Sequence, residues 1–114
     1  EEGVRQHFTA YLSHEKGYPA GLLGNEVSLA QNGMTRRCDS VLYGLDRTPR
    51  MIVEYKAPTV PLTQKVFDQV WRYNMVLKVE WLIISNGIQH IACHLDKEKG
   101  TYAFLEEVPA YKSL

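Results

Sequence analysis

This 114-residue chain has little in excess. Acidic and basic residues number 13 each, so the formal net charge is zero. Proteins that hold nucleic acid by bulk charge carry a basic surplus, and the balance argues against that class while leaving room for a local basic strip. Cysteine is scarce, with only Cys38 and Cys93, which is no disulfide framework; a reducing, cytoplasmic setting is expected. No apolar run approaches the roughly 20 residues of a membrane span, so no membrane is expected. The chain opens on Glu1 and Glu2 where a signal peptide would carry basic residues, so no leader is expected. It also opens without Met, as a fragment would. Repeats, low-complexity tracts and linkers are missing too. What is present is an apolar fraction of 45% with 11% aromatics, enough for one domain over residues 1–114 with its own core.

Periodicity divides the chain into alternating element types. Val4, Phe8, Tyr11 and Leu12 recur at helical spacing, and Gly17 with Pro19 marks the stop. From residue 25 the period changes to that of strands: 25–31, a hairpin pair at Asn32-Gly33, then 35–44 and 51–57. Thr63 is placed to cap a helix running to Lys78, with Val66, Phe67, Val70, Trp71 and Leu77 as its apolar stripe. A short buried strand at 81–87 and a closing hairpin around KEKG complete the chain. The fold class expected is α/β (α+β): a mixed sheet flanked by helices, in the order α-β-β-β-α-β-β-β.

One strand carries a puzzle. MIVEYKAP, residues 51–58, reads as a buried strand yet places Glu54 and Lys56 on one face, about 6.5 Å apart along the strand. The preceding strand holds Asp39 at mid-strand, where β-propensity disfavours it. Simple alternation puts Arg37, Asp39 and Val41 on one face, with Cys38, Ser40 and Leu42 on the other. The two strands are joined by a short turn, so antiparallel pairing would bring Asp39, Glu54 and Lys56 together. Two carboxylates at one point repel unless a cation or proton intervenes. Oxygen ligands suit Mg²⁺, which keeps several waters and takes one or two carboxylates. Such a metal polarises a phosphoryl oxygen and activates water, while Lys56 would steady that water or the charge growing on phosphorus. Arg36 and Arg37 can hold phosphates or be surface charges beside Asp39. Glu26 fits a solvated strand end or a supporting part.

The triplet Glu54-x-Lys56 is the sole acid-x-lysine in the chain, and Asp39 precedes it by fourteen intervening residues. This arrangement resembles the core of the PD-(D/E)xK nuclease superfamily, whose order αβββαβ implies a restriction-endonuclease-like core with the closing β-hairpin as an addition. The stretches VRQHFTAYLSHEKGYP, RRCDSVLYG, VEYKAP, QKVFDQVWRYN and ISNGIQH are similar to the N-terminal nuclease domain of type I restriction enzyme R subunits and their stand-alone relatives. The resemblance implies a metal-dependent deoxyribonuclease of a restriction system. Mg²⁺ is the implied cofactor, with Mn²⁺ as its substitute, and DNA the substrate. Other restriction subunits or a translocase domain are implied partners, and a homodimer is one arrangement for cutting both strands. A Gln-x-x-x-Tyr motif matches Gln69 and Tyr73, implying that Gln69 helps fix the metal site or substrate backbone. Tyr73 fits either substrate contact or the core. An acid on the first helix matches Glu2 as a further metal ligand. Cys38 stands where the superfamily often has Pro. No Walker A loop is present, so no ATP site is expected here.

Two functions from different classes follow: a Mg²⁺-dependent endonuclease using Asp39, Glu54, Lys56 and Gln69, or a catalytically idle nuclease-fold domain that docks DNA or other subunits. Zinc is not expected, because Cys93 points away from His90 and His94 on a strand and no second cluster completes four ligands.

Overall fold

A computed structural model describes residues 2–31 and 33–114. Helix α1 spans Glu2–Glu15 and buries Val4, Phe8 and Leu12, one residue per turn along a single stripe. It ends where the Lys16 and Tyr18 amides both donate to the Leu12 carbonyl, with Gly17 in the left-handed region at φ 76°. Strands β1 (Leu23–Gln31), β2 (Met34–Tyr43) and β3 (Pro49–Tyr55) then pair in antiparallel succession. Asn32 of the Asn32-Gly33 turn lies outside the described residues. Helix α2 (Gln64–Asn74) carries the chain across to β4 (Trp81–Ser85), which pairs parallel to β3. Strands β5 (His90–Asp96) and β6 (Thr101–Leu105) add antiparallel pairs. The result is one mixed six-stranded sheet ordered β1-β2-β3-β4-β5-β6. Among the described residues, no helix is long and apolar enough to cross a membrane.

The two helices cover opposite faces of the sheet, and alternation within β3 shows how. Met51, Val53 and Tyr55 join Val4, Phe8 and Leu12 under α1, while Ile52 joins Phe67 and Val70 under α2. Every residue of β4 is buried, as a central strand covered on both faces should be.

Three details depart from the periodic reading. Helix α2 stops at Asn74 and tightens into a 3-10 turn at Met75–Leu77, four residues short of Lys78, which takes the left-handed φ of 50° that ends the turn. Strand β4 ends at Ser85 because the Asn86 side chain folds the chain over: its Oδ1 accepts from the Ile88 and Gln89 amides. Its Nδ2 donates to the Val60 carbonyl at 2.8 Å, fastening the loop after β3 to the end of β4.

The third departure concerns β2, whose pleat changes phase. Cys38 and Val41, three residues apart, share the cluster under α2, whereas Leu42 packs under α1. The break falls at Asp39. The flanking pairs Asn25–Ser40 and Val27–Cys38 form, but Glu26 opposite Asp39 sits at φ 53° and leaves the ladder. An irregularity of this kind re-aims side chains. It overturns the expectation of Arg37, Asp39 and Val41 on one face, and it turns Arg36 toward α2.

Candidate active site

Asp39, Glu54 and Lys56 line one cleft of about 340 Å³ beside α2, with Tyr55, Val70, Tyr73 and Asn74 completing the wall. The convergence has a local cause. Pairing of β2 with β3 runs from Tyr43 to Ser40 and then stops. At Asp39 the strands part, and its carboxylate replaces the ladder: Oδ2 accepts from the Tyr55 amide at 2.8 Å. The same tyrosine's hydroxyl donates to Ser40 Oγ at 2.8 Å, and that serine bonds Asn25 Oδ1 at 2.6 Å. The wall behind Asp39 is thereby held by buried polar contacts. On the other side of β3, the Lys56 amide donates to the Ser85 carbonyl at 2.8 Å, extending the parallel pairing one residue past Tyr55.

Electrostatics at this point disfavour an ionised Glu54. Burial, followed by the Asp39 carboxylate within hydrogen-bonding reach, pushes the Glu54 pKa up to about 8, and the opposing pull of Lys56 and Arg36 is too weak to reverse it. The neutral acid can donate to Asp39; the ionised one faces a like charge. Lys56 makes no ion pair among the described residues, so the ammonium and the carboxylates border the same space without closing on each other. Cys38 lies behind the cleft with its thiol pushed up to about 12, chiefly by burial and then by Glu54, so it supplies no thiolate.

The remaining predicted residues are distributed around the cleft. Gln69 is exposed and lines a neighbouring hollow of about 370 Å³ with Lys56, Val70, Arg72 and Tyr73; it does not border the carboxylates. Tyr73 is 58% exposed and borders both hollows, so it is no core residue. The Arg36 guanidinium stacks on its ring at 3.1 Å from the centroid, and Arg36 Nε is buried with no hydrogen-bond partner. Arg37 is exposed and faces Glu26 at 3.3 Å instead of the carboxylate cleft. Glu2 pairs with Arg5 at 2.7 Å and lines a third hollow with Arg5, Glu26, Asp39 and Tyr55, away from Glu54. Asp39 alone among the acids borders both this hollow and the Glu54 cleft.

A divalent ion is consistent with this donor set within limits. No group of three or more His, Cys, Asp or Glu among the described residues is arranged to hold a metal. Asp39 and Glu54 form a two-carboxylate set, which suits Mg²⁺ with retained waters and no all-protein cage. Zinc is not favoured: Cys93 is buried under α2, while His90 contacts Phe8 and Tyr11 and His94 stacks on Trp81 under α1.

Periodicity did not single out Asn74, which lines the cleft and is 1% exposed. A signal existed. Asn74 lies four residues after Val70 on the buried stripe of α2, where an apolar residue would be expected.

Two solved structures share the fold. An HsdR fragment of a type I restriction enzyme from Vibrio vulnificus YJ016 matches with a TM-score of 0.62 at 22% identity, over 93% of this chain and 22% of that one. A DrdV–DNA complex matches with a TM-score of 0.59 at 18% identity, over 99% of this chain and 11% of that one. The chain thus spans about a fifth and about a tenth of the lengths of these two. No curated protein matches. The family model for the type I restriction enzyme R protein N terminus (HSDR_N) matches residues 1–109, nearly the whole chain, and the protein belongs to that family.

Proposed function

We propose that residues 1–114 are a nuclease domain of PD-(D/E)xK type, with a restriction-endonuclease-like αβββαβ core and an added C-terminal hairpin. It acts in the cytoplasm as a Mg²⁺-dependent endonuclease on DNA phosphodiester bonds, and Mn²⁺ substitutes. The observation that carries this reading is the meeting of Asp39, Glu54 and Lys56 in one cleft, with Glu54 held in an environment that disfavours its charge. Such perturbed carboxyls concentrate at functional sites. Family membership supports a place in a restriction system, with a translocase domain or other subunits as partners.

Bound between Asp39 and Glu54, a divalent ion would polarise a phosphoryl oxygen and ease deprotonation of a water. The chain's own groups do the rest. Asp39 is locked by the Tyr55 amide, so its free oxygen points at a fixed place. Lys56 holds the attacking water and meets the negative charge that builds on phosphorus. The water's oxygen bonds to phosphorus, one P–O ester bond breaks, and the departing sugar oxygen takes up a proton. Arg36, half-buried and braced by Tyr73, brings its positive charge beside the cleft where a phosphate would lie. Gln69 reaches the substrate backbone from the adjoining hollow. Purified protein should nick supercoiled plasmid in Mg²⁺ or Mn²⁺, and Lys56→Ala should abolish the nicking; equal cutting by that variant defeats the assignment.

A second reading rests on the absence of a third metal-ligating side chain among the described residues. It makes the domain a DNA-docking or subunit scaffold that does not cut. Calorimetry separates the two: the enzyme shows Mg²⁺ or Mn²⁺ heat that Asp39→Ala and Glu54→Ala remove, and the scaffold shows none.

A further inference from the structure

We propose that the hollow beside the carboxylate cleft holds the DNA phosphate next to the one cut, with Arg72 as its anion-binding group; this rests on the nuclease reading above. The two spaces share a wall, since Lys56, Val70 and Tyr73 line both. Beyond that wall they differ in charge. The cleft adds Asp39 and Glu54, whereas the hollow adds Gln69 and Arg72 and no acid. Arg72 lies in the last turn of α2 and is exposed. Its natural helical partner is Asp68, one turn earlier. That carboxylate instead accepts from Gln64 Nε2 at 2.8 Å, and Arg72 makes no ion pair among the described residues.

A nucleic-acid strand carries a negative charge at every nucleotide, so a strand cut at Asp39 and Glu54 must lay its next phosphate close by. The cleft has a charged neighbour on each side. Past Asp39 lies the hollow lined by Glu2, Arg5, Glu26, Asp39 and Tyr55. It holds three carboxylates against one guanidinium, and that guanidinium is paired with Glu2. A phosphate there would meet like charge and find no unpaired cation among the described residues. Past Lys56 lies the Arg72 hollow, where both charged groups are positive and neither is paired. The difference in charge across the site therefore sends the strand along α2. The Arg72 guanidinium can grip two oxygens of one phosphate, and the Gln69 amide N–H can donate to the same group. Phosphates carry no sequence, so this contact sets the register of the strand and not the bases chosen.

Fluorescence anisotropy of short labelled duplexes, in EDTA and over a range of salt, tests this without cleavage. Arg72→Gln should bind about tenfold more weakly at low salt, the scale of one lost contact to a charged group. It should also lower the slope of log K against log salt by about one unit. Both losses should be the same on two duplexes of unrelated sequence. Lys65→Gln, exposed on the same helix but outside the hollow, should bind as the wild type does. Equal losses in the two variants reduce Arg72 to diffuse surface charge and overturn the assignment. An unchanged slope for Arg72→Gln, with or without a lowered Tm, also overturns it and leaves Arg72 serving only the helix terminus. A loss on one sequence alone overturns it in favour of a base contact. In Mg²⁺, cutting of subsaturating DNA by Arg72→Gln should fall with affinity. A slope that depends on Arg72 in a protein that never cuts sustains the phosphate site and defeats the nuclease reading instead. Cutting by a protein whose slope ignores Arg72 does the reverse.

Discussion

Replacing Glu54 with glutamine should make this protein more stable at alkaline pH, and the sign follows from linkage. In the folded chain Glu54 keeps its proton to about pH 8, whereas its unperturbed value is 4.5. Between those values the folded state binds a proton that the unfolded state has released. Stability therefore falls as pH rises through that window, and the full penalty is reached above about pH 8. Each unit of displacement corresponds to about 1.4 kcal/mol, so the ceiling is roughly 5 kcal/mol. The Lys56 and Arg36 attractions are already contained in that displacement. Relaxation of the cleft and entry of water lower the realised value, and about 2–3 kcal/mol is the working expectation.

Glutamine matches the shape of glutamate, keeps a donor for Asp39 and never ionises. Urea unfolding followed by circular dichroism, in EDTA and at several values from about pH 5 to about pH 9, isolates the effect. Other titrating groups are common to both proteins and cancel in the difference. The variant and wild type should coincide near the acid end and diverge steadily toward the alkaline end, the variant being the more stable. Parallel curves, or a wild type that gains stability across the window, would refute the claim that Glu54 is desolvated beside a second carboxylate. The same result would remove the main electrostatic reason for expecting a cation there.

Mg²⁺ or Mn²⁺ should oppose this penalty: at about a hundredfold excess over Kd the ion adds about 2.7 kcal/mol of stability near pH 8, read as a Tm increase that Asp39→Asn and Glu54→Gln each lose. Leu12, fully buried beneath α1, should cost about 2–5 kcal/mol when cut back to alanine, measured by urea unfolding, with little change in DNA affinity because it lies across the sheet from the cleft. Arg36→Gln should weaken DNA binding and lower the slope of log K against log salt by about one unit, whereas Arg37→Gln, paired with Glu26 away from the cleft, should leave the slope nearly unchanged.

The readable and unreadable parts of the site differ in physical kind. Glu54 and Lys56 were legible because β3 is regular: alternation sends Met51, Val53 and Tyr55 under α1, and Ile52 with Glu54 toward α2. Asp39 was legible as a misfit of residue type, but its neighbourhood was not. Glu26 adopts a left-handed backbone although it is neither glycine nor asparagine, and no alternation rule anticipates a change of pleat phase there. The change of phase there decides which arginine, Arg36 or Arg37, turns toward α2. Asn74 was hidden for a different reason: a polar residue inside a helical apolar stripe looks like noise until it is seen to line the cleft. Holding Glu26 at φ 53° costs of order 1 kcal/mol or more, so something in the folded state must require it. The requirement lies opposite. If Glu26 and Asp39 paired as ordinary strand residues, β2 would keep the phase of Val41, and Cys38 and Arg36 would turn away from α2, taking the guanidinium off the Tyr73 ring. The strain at Glu26 is thus the local cost of holding Cys38 and Arg36 on the face that Val41 and Glu54 already share.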